Sequence, residues 1–135
     1  MNNIPTAAKW RKNMPKFVRV YTGANGQSQI EELDFEMQEF VDTEGAHGLS
    51  TPPINTPGIV FRQYEPGYFL DFHTAPRRQY SITLTGEIEV GTPDGTIKHY
   101  GPGTVLMAED LTGTGHSTRV VGTEPRFAII VPLAD

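Results

Sequence analysis

The chain of 135 residues contains no cysteine. Disulfides, thiolate metal sites and cysteine nucleophiles are therefore excluded in any compartment, which leaves His, carboxylate, amide and hydroxyl chemistry. Long apolar runs are missing as well: nothing approaches the roughly 20 consecutive apolar residues that span a bilayer. The N-terminal stretch MNNIPTAAKWRKNMPKF is basic but lacks the continuous apolar segment of a secretory signal. A soluble cytoplasmic protein with no membrane partner is the expectation. Positive charge is scarce, with 11 Lys and Arg against 16 Asp and Glu for a net charge of -5, and no basic cluster exceeds a pair such as Arg77-Arg78. That balance gives no footprint for a phosphate backbone, so nucleic acid is not an expected partner.

What is abundant is turn chemistry. The 14 Gly and 11 Pro are spread along the chain instead of being pooled in one linker, which favours many short strands over long helices. The length suits one domain with one core, taken here as 1–135. Residues 18–21 read as a strand ending at the turn Thr22-Gly-Ala-Asn-Gly26. In 30–41, Leu33, Phe35 and Met37 alternate as a strand would, while Ile30, Leu33, Met37 and Val41 also fit a helical face; strand is preferred. Residues 45–57 are rich in Gly, Pro, Ser, Thr and Asn and read as a long surface loop, a candidate flap. Beyond Gly58, strands are expected at 59–64, 68–72, 80–84, 88–90, 97–100, 105–108, 118–121 and 127–131. The connectors Glu65-Pro-Gly67, Thr92-Pro-Asp-Gly95 and Gly101-Pro-Gly103 match tight-turn preferences. Eight short strands in so few residues make a compact all-β barrel or sandwich.

Two motifs carry a resemblance. Gly67, five residues, His73-x-Ala75, three residues, Gln79, six residues and Gly86 follow the spacing of the first cupin motif, in which a second His and a Glu stand where this chain has Ala75 and Gln79. Gly103 opens a looser match to the second motif, with Glu109-Asp110-Leu111 in place of Pro-x-Gly and His116 two residues late. The chain thus resembles small single-domain cupins, and in particular a subgroup reading His-x-Ala-Pro-Arg-Arg-Gln and Glu-Asp-x-Thr-Gly-x-Gly-His. The resemblance covers about 58–131. It implies an all-β double-stranded β-helix, the cupin or jelly-roll barrel, with 1–57 adding N-terminal strands and a loop. It also implies a homodimer formed through the outer sheet. Fold does not choose chemistry.

Strand alternation places the side chains. If His73 points into the barrel, Phe69, Asp71 and Ala75 share its face. If Gln79 points in, Ser81 and Thr83 follow, while Tyr80, Ile82 and Leu84 face outward, where a second copy could cover them. His116 and Thr118 enter from a third strand. The expected cavity mixes aromatic walls with a polar cluster, which suits a small organic ligand. His73, Gln79 and His116 are the catalytic candidates, since imidazole titrates near neutrality and is the natural proton carrier in the absence of a metal. They are also the metal candidates. Cupin metal sites offer three His and a carboxylate, whereas two imidazoles and an amide would hold a divalent transition metal only weakly, unless Asp71 or a carboxylate at 109–110 swings inward. Arg62, Arg78, Ser81 and Asp110 are candidates for substrate binding, with Arg78 an anion clamp and Asp110 either a turn acceptor or the orienter of His116. His47 is placed in the flap and His99 on the surface. Gly113-Thr-Gly115 is too short for a phosphate loop and no helix follows it. Three functions remain open: a proton-transfer enzyme of isomerase, cyclase or lyase type, a metal-dependent oxygenase, and a binding module without turnover.

Overall fold

The computed structural model describes residues 15–134, so most of the N-terminal stretch read above for a secretory signal lies outside the described residues. Among the described residues there are twelve strands and no helix, and hence no helix long and apolar enough to cross a membrane.

The pairing pattern defines the architecture. β5 (Val60–Tyr64) pairs with β12 (Arg126–Pro132), β6 (Phe69–His73) with β11 (His116–Val121), β7 (Gln79–Thr85) with β10 (Val105–Glu109), and β8 (Glu87–Gly91) with β9 (Ile97–Tyr100), all antiparallel. First meets last and each inner strand meets its mirror position, as in one long two-stranded ribbon folded at a single tip. The tip is the 92–96 turn, where Thr92 N–H donates to the Thr96 carbonyl and Gly95 takes a positive φ. Winding that ribbon deals its strands into two facing sheets, which is the double-stranded β-helix or jelly roll.

β1 (Phe17–Thr22) adds in parallel to the free edge of β10, and β2 (Ser28–Leu33) adds outside it. The result is a six-stranded sheet, β2-β1-β10-β7-β12-β5, opposite a four-stranded one, β6-β11-β8-β9. Val18 and Val20 from β1, Leu106 and Ala108 from β10, Ile88 and Val90 from β8, Tyr100 from β9 and Val120 from β11 form one buried cluster that bridges the sheets. Each such aliphatic side chain larger than alanine contributes roughly 1.5–3 kcal/mol when fully buried.

Two expectations change. Residues 30–41 are not one strand: β2 ends at Leu33 and β3 (Gln38–Val41) follows after a short link. The expected loop 45–57 contains β4 (His47–Ser50), which pairs with β3 in a separate hairpin. The cause is Gly45, whose φ of 100° and N–H bond to the Asp42 carbonyl reverse the chain within 42–46. The remainder is not a flap over the barrel mouth. Thr51, Pro52, Pro53 and Ile54 border a groove of about 630 Å³ with Tyr80 and Ile82, on the outer face of the six-stranded sheet.

Candidate functional site

The ribbon brings His73 and His116 together. The last residue of β6 lies directly opposite the first of β11, and residues opposed in an antiparallel pair share a face. Their ring centroids are 4.5 Å apart. Each ring has one nitrogen committed elsewhere. His73 Nδ1 lies 2.8 Å from the Asp71 carbonyl oxygen, an atom that only accepts, so Nδ1 carries the proton and Nε2 keeps a lone pair when the ring is neutral. His116 Nδ1 lies 2.6 Å from Asp110 Oδ2, which also accepts the Ser28 hydroxyl at 2.5 Å. Asp110 is 0% exposed, so His116 is held from behind by a buried carboxylate and likewise offers Nε2.

Local backbone features make this contact possible. Pairing runs His116 to His73 and then Thr118 to Leu70, so β6 carries one extra residue there. This β-bulge turns the inward set from Phe69 and Asp71 to Leu70. Phe69 instead packs under the Arg119 guanidinium, and the Asp71 carboxylate accepts the Phe72 N–H. Gly115, at φ 86°, brings its backbone against that of His73: a Cβ there would sit 1.9 Å from the His73 carbonyl oxygen. No other residue fits that approach, which gives the 113–115 glycines a structural purpose.

The two histidines open onto a cavity of about 170 Å³ between the sheets, lined also by Arg62, Gln79, Ser81, Thr118 and Arg126, with Tyr64, Tyr68, Leu70 and Ile130 among its walls. Among the described residues, no carboxylate lines it. Gln79 is buried, and its Oε1 accepts from Arg77 Nη1 at 3.2 Å. Arg62 lies at the exposed edge and donates to the Tyr64 hydroxyl at 3.3 Å.

Arg126 is the functional candidate that the sequence reading missed. It is only 6% exposed. Its Nε donates to Thr83 Oγ1 at 3.1 Å, and its Nη2 donates to Ser81 Oγ at 2.7 Å and to Thr83 Oγ1 at 3.0 Å. Burial lowers its pKa, opposed by the nearby Tyr64, whose ring centroid is 5.8 Å away. The signal was present: Arg126, Ala128 and Ile130 share one strand parity, but the expected strand began one residue later.

The remaining candidates lie elsewhere. Arg78 is outside the cavity, where its Nε donates to Glu109 Oε2 at 3.0 Å. Burial alone would raise the Glu109 carboxyl, but hydrogen bonds and charge from Arg19 and Arg78 outweigh it and hold the group below its usual value. Asp110 stands behind His116 and not in the lining. His47 is exposed in the β3–β4 hairpin, and His99 is exposed beside Glu87 at 2.7 Å.

His73, Gln79 and His116 do line one cavity, yet they do not fit a tightly held divalent metal. No group of three or more His, Asp or Glu side chains converges among the described residues. The Gln79 oxygen faces a guanidinium, and the carboxylates of Asp71 and Asp110 are engaged away from the cavity. Two neutral imidazoles would have to hold a dication beside two guanidiniums with no anionic ligand to balance it.

No protein-family model and no curated protein matches the chain. Solved structures do resemble it. A protein with a double-stranded β-helix domain from Klebsiella pneumoniae is 24% identical over 56% of this chain and 61% of its own, with a TM-score of 0.46. This chain therefore spans less than two thirds of that protein. An RmlC-like cupin from Desulfovibrio desulfuricans is 22% identical over 73% of this chain and 81% of its own, at 0.43. The cupin domain of Schizosaccharomyces pombe Cnp3 is 12% identical over 90% of this chain and 88% of its own, at 0.48. All three are described as double-stranded β-helix or cupin proteins. The fold assignment here rests on the ribbon pairing of β5 to β12.

Proposed function

We propose that the cavity performs proton transfer on a small molecule, in an isomerase, cyclase or lyase type of reaction, with His73 and His116 as acid and base. The observation that supports this is the facing pair of rings at 4.5 Å, each with Nδ1 committed and Nε2 left for the cavity. Two such groups on one small volume can remove a proton at one position of a ligand and return one at another. Asp110 is a positioning residue: it accepts from Nδ1 of His116 and so keeps the ring in the Nδ1–H tautomer, with Nε2 left to take a proton. Gln79 orients the ligand, while its Oε1 is held by Arg77. This reading takes the cytoplasm as the compartment and a homodimer as the working unit.

Solvent exchange tests the proposal whichever of the three reaction types operates. A panel of small carbonyl compounds, acidic and neutral, incubated with the protein in deuterium oxide should include one that gains deuterium. His73→Ala and His116→Ala should each slow that exchange by about 10²-fold or more, and the double variant should cost much less than the product of the two losses. Exchange unaffected by either substitution would contradict the assignment.

A second reading has one observation in its favour: metal-ligating histidines are also oriented by a hydrogen bond to the nitrogen facing away from the metal. About one tightly held transition metal per chain in gently purified protein would promote the oxygenase reading. No exchange and no metal would leave a binding module.

A further inference from the structure

We propose that Arg126 docks a carboxylate group of the ligand, so that the cavity takes small organic acids. The inference deepens the proton-transfer reading and rests on it for the chemistry at the histidine end, but not for binding.

A guanidinium does not lose its proton in a protein, and a buried charge is costly unless paired. Two part-buried arginines outside the cavity follow that rule: Arg19 pairs with Glu31 and Glu109, and Arg78 with Glu109. Arg126 is far more buried, and its hydrogen-bond partners are the neutral hydroxyls of Ser81 and Thr83. These fix the plane of the fork without neutralising it. Nη1 donates to no group among the described residues, so one arm is left to a ligand. The chain has 16 acidic residues against 11 Lys and Arg, yet among the described residues the cavity lining holds two arginines and no carboxylate. Among the described residues, negative charge is absent from the lining of the cavity that holds the buried Arg126. Arg62 adds a second cation at the same end, through Tyr64.

Geometry also limits the ligand. The Arg126 head binds residues 81 and 83 of β7, whereas Gln79, which lines the same cavity as the histidines, begins that strand. At about 3.3 Å per residue, residues 81 and 83 lie about 7 to 13 Å along β7 from Gln79. The cavity of about 170 Å³ is also below the 300–1,000 Å³ of drug-sized pockets.

The test is calorimetric titration of the full chain with butanoate, butanamide and inorganic phosphate. Butanoate should bind at least about tenfold tighter than butanamide, the scale of a charge-assisted hydrogen bond. Arg126→Met should weaken butanoate binding by about tenfold to a hundredfold and remove the preference for acid over amide, with Arg126→Lys in between. Arg119→Met, at an exposed arginine outside the cavity lining, should leave butanoate affinity unchanged. Equal binding of acid and amide by the parent protein overturns the proposal, as does full butanoate affinity in Arg126→Met. Tighter binding of phosphate than butanoate also overturns it, in favour of phosphoryl compounds. If Arg126→Met does not fold, the acid-to-amide ratio of the parent protein decides alone. Acid preference without any deuterium exchange sinks only the proton-transfer reading, whereas exchange without acid preference sinks only this one.

Discussion

The two halves of the six-stranded sheet follow opposite rules. Around β1 and β10 the inner face is apolar, with Val18, Val20, Leu106 and Ala108 buried, while Arg19 and Glu109 on the outer face form ion pairs. Around β7 and β12 the inner face carries Gln79, Ser81, Thr83 and Arg126. The outer face there presents Leu84 at 47% and Phe61 at 60% exposure, with Phe61 stacked on Phe127. A sheet selected for stability alone would look like the first half throughout. The second half places a cation and hydroxyls inside and aromatic surface outside, each unfavourable until something covers it. The difference accords with a stabilising role for β1–β10, with the proposed ligand on the inner face of β7–β12, and with the proposed second copy on its outer face.

The sharpest break of that comparison is at the seam of the functional half. Gly115→Ala would place a methyl group 1.9 Å from the His73 carbonyl oxygen at a positive φ, so β6 and β11 must separate. A loss of about 3 kcal/mol or more is expected in denaturant unfolding, and any folded fraction should show the two histidine rings uncoupled. A well-folded variant with an unchanged ring contact would contradict the role given to this glycine.

The structural half should respond to acid. The Glu109 carboxyl lies below its unfolded value of about 4.5, so it contributes stability above that pH and loses it as the pH falls through the lower folded value. Glu109→Gln should therefore cost about 2 kcal/mol at neutral pH, the scale of a hydrogen bond to a charged group, and the difference from the parent should shrink progressively below pH 4.5. A gap that is constant with pH would mean that the Arg19 and Arg78 pairs do not operate.

The smallest effect on stability is expected on the outer face. Leu84→Glu should change stability by no more than about 0.5 kcal/mol, as for ordinary surface positions, yet convert a homodimer to monomer in light scattering. The parent protein should dimerise through the face containing Phe61, Leu84 and Phe127. Tyr80 and Ile82 are less available for this purpose, because 51–54 of the same chain borders them. A monomeric parent at micromolar concentration would remove the partner from the comparison.

Most of the barrel was legible in the sequence because ribbon strands are short, punctuated by Gly and Pro, and patterned with period two. The motif spacing anticipated that His73, Gln79 and His116 share one cavity, since their positions follow from which strands oppose one another. What escaped depends on events that interrupt the period. The bulge in β6 put Leu70 where Phe69 and Asp71 were expected. Gly45 was read as a loop and not as a reversal, which hid β4. Arg126 was missed because a charged residue at a strand's start is ordinarily solvent-facing. Only its parity with Ala128 and Ile130 marks it as inward. The assignment of Arg78 as an anion clamp failed because Glu109, one strand away, draws it outward.

The measurement closest to the central claim is the protonation pattern of the four ring nitrogens of His73 and His116, read by nitrogen-15 NMR with both rings neutral. If the paired histidines operate as proposed, each ring carries its proton on Nδ1, donated to the Asp71 carbonyl and the Asp110 carboxylate respectively, and both Nε2 signals respond to added butanoate. A proton on Nε2 of either ring, or Nε2 signals indifferent to every small acid, would contradict it.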